Sequence, residues 1–178
     1  MKKRILAFAG SNHANSINYQ LVEFTASLMT NADVTVLDIR NWDIPIYSIN
    51  MDPDQTPEKI TELIALIQDA DGFIIASPEH NGGTPAFFKN IIDWLSRRAK
   101  SVFGKKPVFL MSTSPGAHGG ATNLKYLIHS LPYQGAMIGA TYSLPSFYDN
   151  FKDGAVVAGD HLGELQESIG EFKEALHG

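Results

Sequence analysis

The residues best placed to do chemistry in this chain sit in three short loops rich in glycine and hydroxyl side chains, not in any dyad of acid and base. The first follows the apolar run of residues 5–9 and reads Gly10-Ser11-Asn12-His13-Ala14-Asn15-Ser16-Ile17-Asn18, almost without charge, before a helical pattern begins. A strand ending in Gly-Ser and a helix starting near Ser16 gather unpaired backbone N–H groups at the positive end of a helix dipole. A phosphate suits that point, held by the N–H groups and the hydroxyls of Ser11 and Ser16, with Asn12 and Asn18 as further donors. Small side chains are needed there because bulky ones would keep the backbone away from an anion. Taken alone, the same loop also reads as a polar turn in which Ser16 is merely a helix cap. Two more loops weigh on the choice: Ser77-Pro78-Glu79-His80-Asn81-Gly82-Gly83-Thr84-Pro85, and Ser112-Thr113-Ser114-Pro115-Gly116-Ala117-His118-Gly119-Gly120. An aromatic ring system with a phosphate tail would use all three.

The elements that must carry these loops are legible as apolar runs. Strand-like segments cover residues 5–9, 34–39, 73–76, 108–111 and 136–142. Several are continuous rather than alternating, as expected of strands buried on both faces. Helical periodicities lie between them, on Leu21, Phe24 and Leu28; on Ile60, Leu63, Ile64 and Ile67; on Phe88, Ile91, Ile92 and Leu95; and on Leu124, Leu127, Ile128 and Leu131. A fifth, on Leu162, Leu165, Ile169, Phe172 and Leu176, closes the chain. Thr56-Pro57 and Thr84-Pro85 predict a capping hydroxyl before a proline at the first helical position, and Pro132 ends the fourth helix. Strict alternation of strand and helix predicts an α/β fold, a three-layer α/β/α sandwich about a parallel sheet, in one domain spanning residues 1–178. In such a sheet ligands bind beyond the carboxyl ends of the strands, where the strand order reverses, so the three loops share one edge.

With these motifs in place, the chain resembles the NADPH-dependent FMN reductase family of flavodoxin-like proteins, which includes quinone, azo-dye and chromate reductases. The family pattern G-S-x-R-x-x-S-x-N is met by Gly10-Ser11 through Ser16-Ile17-Asn18, and S-P-E-Y-N-x-S-x-P-x-x-L-K-N-x-x-D-W by Ser77-Pro78-Glu79-His80-Asn81 through Lys89-Asn90 and Asp93-Trp94. A serine- and glycine-rich third loop ending in Gly119-Gly120 completes the likeness, which covers nearly the whole chain. The resemblance implies a five-stranded sheet of order 2-1-3-4-5 and FMN bound without a covalent bond. It places the phosphate at Ser11, His13, Ser16, Ile17 and Asn18, and the flavin ring beside Pro78, Glu79, His80 and Asn81 and beside Ser114, Gly116, His118 and Gly119. It implies an enzyme in which NADPH or NADH passes a hydride to the flavin, which reduces a quinone-like acceptor, with no catalytic acid or base required. A homodimer or homotetramer sharing the cleft is implied as well. Two positions depart from the pattern. His13 replaces an arginine, so a permanent bidentate cation gives way to a side-chain type mostly neutral near pH 7, and phosphate binding weakens unless the helix terminus carries it. His80 replaces a tyrosine and alters one wall of the flavin or nicotinamide site.

Other classes are disfavoured. The formal charge of −5 gives no basic face for nucleic acid. The chain has no cysteine, which fits a reducing, cytoplasmic setting, and no run long enough for membrane insertion. His13, His80 and His118 share a sheet edge without a carboxylate at supporting spacing, so hydrogen-bonding roles are expected in place of a metal. Glu79 is expected to act structurally more than as a proton donor. Asp93 and Trp94, with Lys89 and Asn90, are expected to fix helix packing or a subunit contact. The irregular segment 41–55, carrying Trp42, Ile44, Ile46, Tyr47 and Met51, is expected to be buried against a partner subunit or over a ligand. Phe147, Tyr148 and Phe151 either join that contact or fold back on the domain. Two alternatives to the reductase stand beside it: an FMN-binding electron carrier, and a non-catalytic paralogue that has lost FMN. G-x-G-x-x-G and G-x-x-x-x-G-K-[ST] are both absent, which argues against a dinucleotide-binding dehydrogenase or a P-loop protein.

Overall fold

In the computed structural model, which describes residues 1–52 and 54–178, the apolar runs assemble into one parallel sheet. In chain order the elements are β1 (Lys3–Ala9), α1 (Ile17–Ser27), β2 (Ala32–Val36), α2 (Glu58–Asp69), β3 (Gly72–Ala76), α3 (Ala86–Arg98), β4 (Lys106–Thr113) and α4 (Ala121–Ser130). A 3₁₀ turn (Leu131–Gln134) leads to β5 (Ala136–Leu144), the single turn α5 (Phe147–Asn150), the small hairpin β6 (Phe151–Lys152) and β7 (Ala155–Val156), and α6 (Asp160–His177). The order across the sheet is β2-β1-β3-β4-β5, every neighbouring pair parallel. This is the flavodoxin-like order that the family resemblance implies, on the parallel sheet expected from the alternation of strands and helices.

Alternation along each strand sorts side chains onto two cores. Leu6, Phe8, Phe73, Ile75, Val108 and Leu110 meet α2, α3 and α4 on one face. Ile5, Ala7, Ile74, Ala76, Phe109 and Met111 meet α1 and α6 on the other. The central β3 is buried at every residue and so carries apolar side chains on both faces, whereas the edge strand β2 is only partly covered. Each well-buried Leu, Ile or Phe contributes about 1.5–3 kcal/mol against exposure, which is what holds the layers together.

Element ends differ from the sequence expectation where local polar bonds win. The second strand starts at Ala32 and ends at Val36, not at residue 39, because the Asp38 carboxylate accepts the Arg40 backbone N–H and turns the chain out of the sheet. Pro57 and Pro85 occupy the capping position, not the first helical one, each with extended backbone (ψ 139° and 138°). Thr84, expected to cap α3, donates its hydroxyl to Asn123 Oδ1 at 2.6 Å. Pro132 falls inside the 3₁₀ turn that follows α4.

Candidate functional site

β1 and β3 are neighbours, but the chain leaves β1 toward one side of the sheet and leaves β3 toward the other. Their following loops part at the carboxyl edge and leave a crevice. A cleft of about 500 Å³ lies there. Of the thirteen residues expected at the cofactor, Ser11, His13, Ser16, Ile17, Asn18, Pro78, Glu79, His80 and Ser114 line it. Asn12, Asn15, Thr113, Pro115 and Tyr148 complete its walls.

The end of the cleft made by the first loop is built from donors. Ser16 caps α1 by accepting the Tyr19 N–H at 3.2 Å, and its carbonyl takes the Gln20 N–H. Among the described residues no acceptor in the chain takes the N–H groups of Ile17 and Asn18, the first two of α1. Ser11 and Ser16 are buried, and each hydroxyl oxygen accepts a backbone N–H, from His13 at 3.3 Å and from Tyr19, so each hydroxyl hydrogen is free to donate. Two helix-terminal N–H groups, two such hydroxyls and the helix dipole match a phosphate monoester dianion. The donor set fits the tail of FMN, and the crevice between the second and third loops fits a flat ring. His13 accepts the Asn15 N–H at Nδ1 (3.1 Å), which leaves Nε2 as the ring nitrogen not engaged within the loop.

Asn18 serves a different purpose from the one its type first suggests. Its buried side chain donates to the Thr113 carbonyl at 3.0 Å and accepts the Thr113 N–H at 3.1 Å, clamping the start of α1 to the end of β4. What it offers a phosphate is its backbone N–H.

The second loop is shaped by a tight hairpin turn. Asn81 and Gly82 both have positive φ (53° and 76°) between the mutually bonded His80 and Gly83, the pattern of a type I′ turn. Asn81 sits at the exposed tip of that turn, outside the cleft walls. Glu79 turns its carboxylate to the Asn123 N–H at 3.0 Å in the first turn of α4, a structural engagement. Asn123, fully buried, also donates to Ser77 Oγ (3.0 Å) and the Pro78 carbonyl (2.7 Å) and accepts from Thr84. The whole second loop is therefore hung on one side chain.

In the third loop, Ser114 reaches the cleft while Gly116, His118 and Gly119 stand behind it. The Gly116 carbonyl accepts the Ser146 N–H and the Ser114 hydroxyl, and that of Gly119 accepts the Ser143 hydroxyl. His118 lies 3.0 Å from Thr122 Oγ1 on the surface. Thr113 and Pro115 line the cleft beside Ser114, and the rest of the loop folds back on residues 143–147. Tyr148 enters from those residues and is 61% exposed, available to cover a ligand. Phe147 and Phe151 fold back into the core and stack at 4.6 Å.

Apart from residue 53, which lies outside the described residues, segment 41–55 packs on α3 of its own chain. Asn90 accepts the Tyr47 N–H and donates to the Ile44 and Pro45 carbonyls, Trp94 Nε1 donates to the Pro45 carbonyl at 2.8 Å, and Arg98 pairs with Asp52. Lys89 bridges to Asp93 within the helix. This explains four residues of the sequence motif without substrate contact. Ile46 and Ile49 remain 84% and 75% exposed.

The sequence alone assigned no role to Asn15, Thr113 and Asn123, and set Tyr148 in a subunit contact or folded back on the domain. Asn123 left a signal, a polar residue sharing a helical face with Leu127 and Leu131. Thr113 and Tyr148 left none, since their place depends on how β4 and the residues after β5 meet.

Comparison with known proteins agrees with this geometry. The family model for NADPH-dependent FMN reductase matches residues 3–149. A 2-hydroxy-1,4-benzoquinone reductase of a Burkholderia species is 37% identical over 129 residues, 71% of this chain and 69% of its own. An NAD(P)H-dependent FMN reductase of Schizosaccharomyces pombe is 32% identical over 158 residues, 82% of this chain and 74% of its own. Among solved structures, the flavoenzyme NAD(P)H:(acceptor) oxidoreductase FerB of Paracoccus denitrificans superposes with a TM-score of 0.79 at 25% identity, covering 98% of this chain and 97% of that one.

Proposed function

The chain belongs to the NADPH-dependent FMN reductase family, FMN- and NAD(P)H-dependent oxidoreductases, and from that premise we propose that it reduces quinones or similar two-electron acceptors in the cleft at the β1/β3 edge. When bound, FMN supplies the redox chemistry, taking a hydride from NADPH or NADH and delivering two electrons to the acceptor. The residues do the rest. Ser11, Ser16 and the N–H groups of Ile17 and Asn18 hold the phosphate, with His13 beside them. The backbone of residues 78–80 and of residues 113–115 orients the ring, and His80 and Tyr148 shape the space left for nicotinamide and acceptor. Glu79 is engaged by α4, so protons reaching the acceptor come from solvent.

The observation carrying this reading is the set of donors at the start of α1, which among the described residues is left without acceptors. Residues 1–178 are taken as one flavodoxin-like domain working in the cytoplasm, where NAD(P)H is supplied and a cysteine-free chain meets no redox penalty. A homodimer or homotetramer is part of the same proposal, supported by exposed Ile46 and Ile49 on the rim of α3. The test is an absorption spectrum and fluorescence titration with FMN, then NAD(P)H oxidation with a benzoquinone. Saturation near one FMN per chain and quinone-dependent turnover are expected. FMN binding without nicotinamide oxidation would leave an electron carrier instead.

A further inference from the structure

The first loop has little to hold it in shape. Residues 12–15 are exposed, and the bonds from the His13, Asn15 and Ser16 N–H groups all close within the loop itself. Its ends are tied, by the Gly10 N–H on the Ala76 carbonyl at the root and by Ser16 and Asn18 at the start of α1, but among the described residues its exposed middle, residues 12–15, has one hydrogen bond to the rest of the molecule, from Arg40 Nη1 to the Ala14 carbonyl at 2.6 Å. Arg40 comes from the turn that follows β2, and that turn aims it. Asp38 receives Nε at 2.9 Å and Nη2 at 2.8 Å in a two-point bond, and the guanidinium lies 4.0 Å above the Tyr19 ring of α1. Arg40 does not line the cleft, and its charge is matched by Asp38 with Glu23 close by.

We propose that Arg40, aimed by Asp38 and seated on Tyr19, is a positioning residue for the phosphate end of the cleft, acting through its bond to the Ala14 carbonyl and not as a charge on the phosphate. The inference rests on the proposal that FMN occupies this cleft. A loop braced from behind presents Ser11, Ser16 and the α1 N–H groups already ordered. An unbraced loop must be ordered by the ligand, at a cost in affinity. Because position 13 holds a histidine, this chain has no permanent cation within the loop, and affinity leans more heavily on preorganised neutral donors.

The test measures dissociation constants for FMN and for riboflavin, which lacks the phosphate, by quenching of flavin fluorescence in full-length Arg40→Met, Arg40→Lys and Asp38→Asn proteins. Loss of a charge-assisted bond predicts about a tenfold weaker FMN complex for Arg40→Met with riboflavin unchanged, and a smaller loss for Arg40→Lys. Asp38→Asn decides between the two modes of action. A positioning role predicts weaker FMN binding, since Arg40 is no longer aimed; a direct charge role predicts tighter binding, since the cation is released, and that result overturns the proposal. Amide exchange at Asn15 and Ser16 in the flavin-free protein is expected to quicken in Arg40→Met. Unchanged FMN affinity and exchange in a folded variant overturn the inference, and so does equal loss for FMN and riboflavin. If Arg40→Met does not fold, Arg40→Lys and Asp38→Asn carry the same comparison. A wild-type protein that binds FMN no better than riboflavin would instead remove the phosphate assignment on which the inference stands.

Discussion

At Gly120 the backbone has φ 74°, and a Cβ built there would strike Ser112 Oγ, the hydroxyl that donates to the Ser77 carbonyl. Gly120→Ala therefore meets both a strained backbone and a collision inside the joint between the second and third loops. A loss of about 1–3 kcal/mol is expected by chemical denaturation. Adding Ser112→Ala should recover part of it, so the double variant loses less than the two single changes sum to. Asn123→Ala leaves Thr84, Ser77 and the Pro78 carbonyl short of partners in a fully buried place, and about 2 kcal/mol or more should be lost. At Asp38 the hydrogen bond from the Arg40 side chain is the main cause holding the carboxyl below its usual range. A depressed native-state value contributes stability above the unfolded carboxyl's pKa, and that contribution disappears as pH falls through the folded value. The advantage of the wild type over Asp38→Asn in thermal melts should thus shrink as pH drops from about 5 to about 3. An advantage that stays constant would show that the Asp38–Arg40 pair is not the source.

At the scale of elements, α3 has two jobs on two faces. Phe88, Ile91 and Leu95 seal it to the sheet, while Asn90 and Trp94 hold residues 44–47 through side-chain bonds to their backbone and Arg98 pairs with the Asp52 carboxylate. Such an anchor costs little packing and substitutes for the ladder bonds an irregular segment lacks. Asn90→Ala should free the Tyr47 N–H, with faster amide exchange confined to the neighbourhood of residues 44–47 and FMN affinity unchanged. A change in FMN affinity would mean that the strap and the cleft are coupled. Helix α1 illustrates the opposite economy. Its cap is Ser16, its first two N–H groups meet no acceptor among the described residues, and Asn18 clamps it to β4, so the same turn is a structural joint and a set of open donors at the cleft.

For the whole molecule, the sheet order decides where anything can bind. Only between β1 and β3 do successive crossovers depart in opposite directions, and the cleft lies at that parting. Assembly is the remaining question at this scale. If Ile46 and Ile49 lie in a contact between copies, Ile46→Asp with Ile49→Asp should halve the mass seen by light scattering while leaving the circular dichroism of the chain intact. An unaltered mass would move the contact elsewhere, to the exposed Tyr133 and Met137 for instance.

The amino-acid sequence alone determined the layering and the three glycine-rich loops at one sheet edge, because these rest on short-range facts: apolar periodicity, glycine and proline punctuation, and a helix terminus that must follow a strand; the strand order came from the likeness of whole motifs to a family. It also located Ser11, Ser16 and the start of α1 at the cleft, which follows from local backbone chemistry. Tertiary structure decided what no local pattern encodes, namely which polar side chains are consumed. Asn18 is spent on Thr113, Glu79 on α4 and Thr84 on Asn123, because partners dozens of residues away arrive only when the strands align. It also brought Tyr148 to the cleft and Arg40 behind the first loop, since both come from segments whose sequence fixes their composition and not their direction.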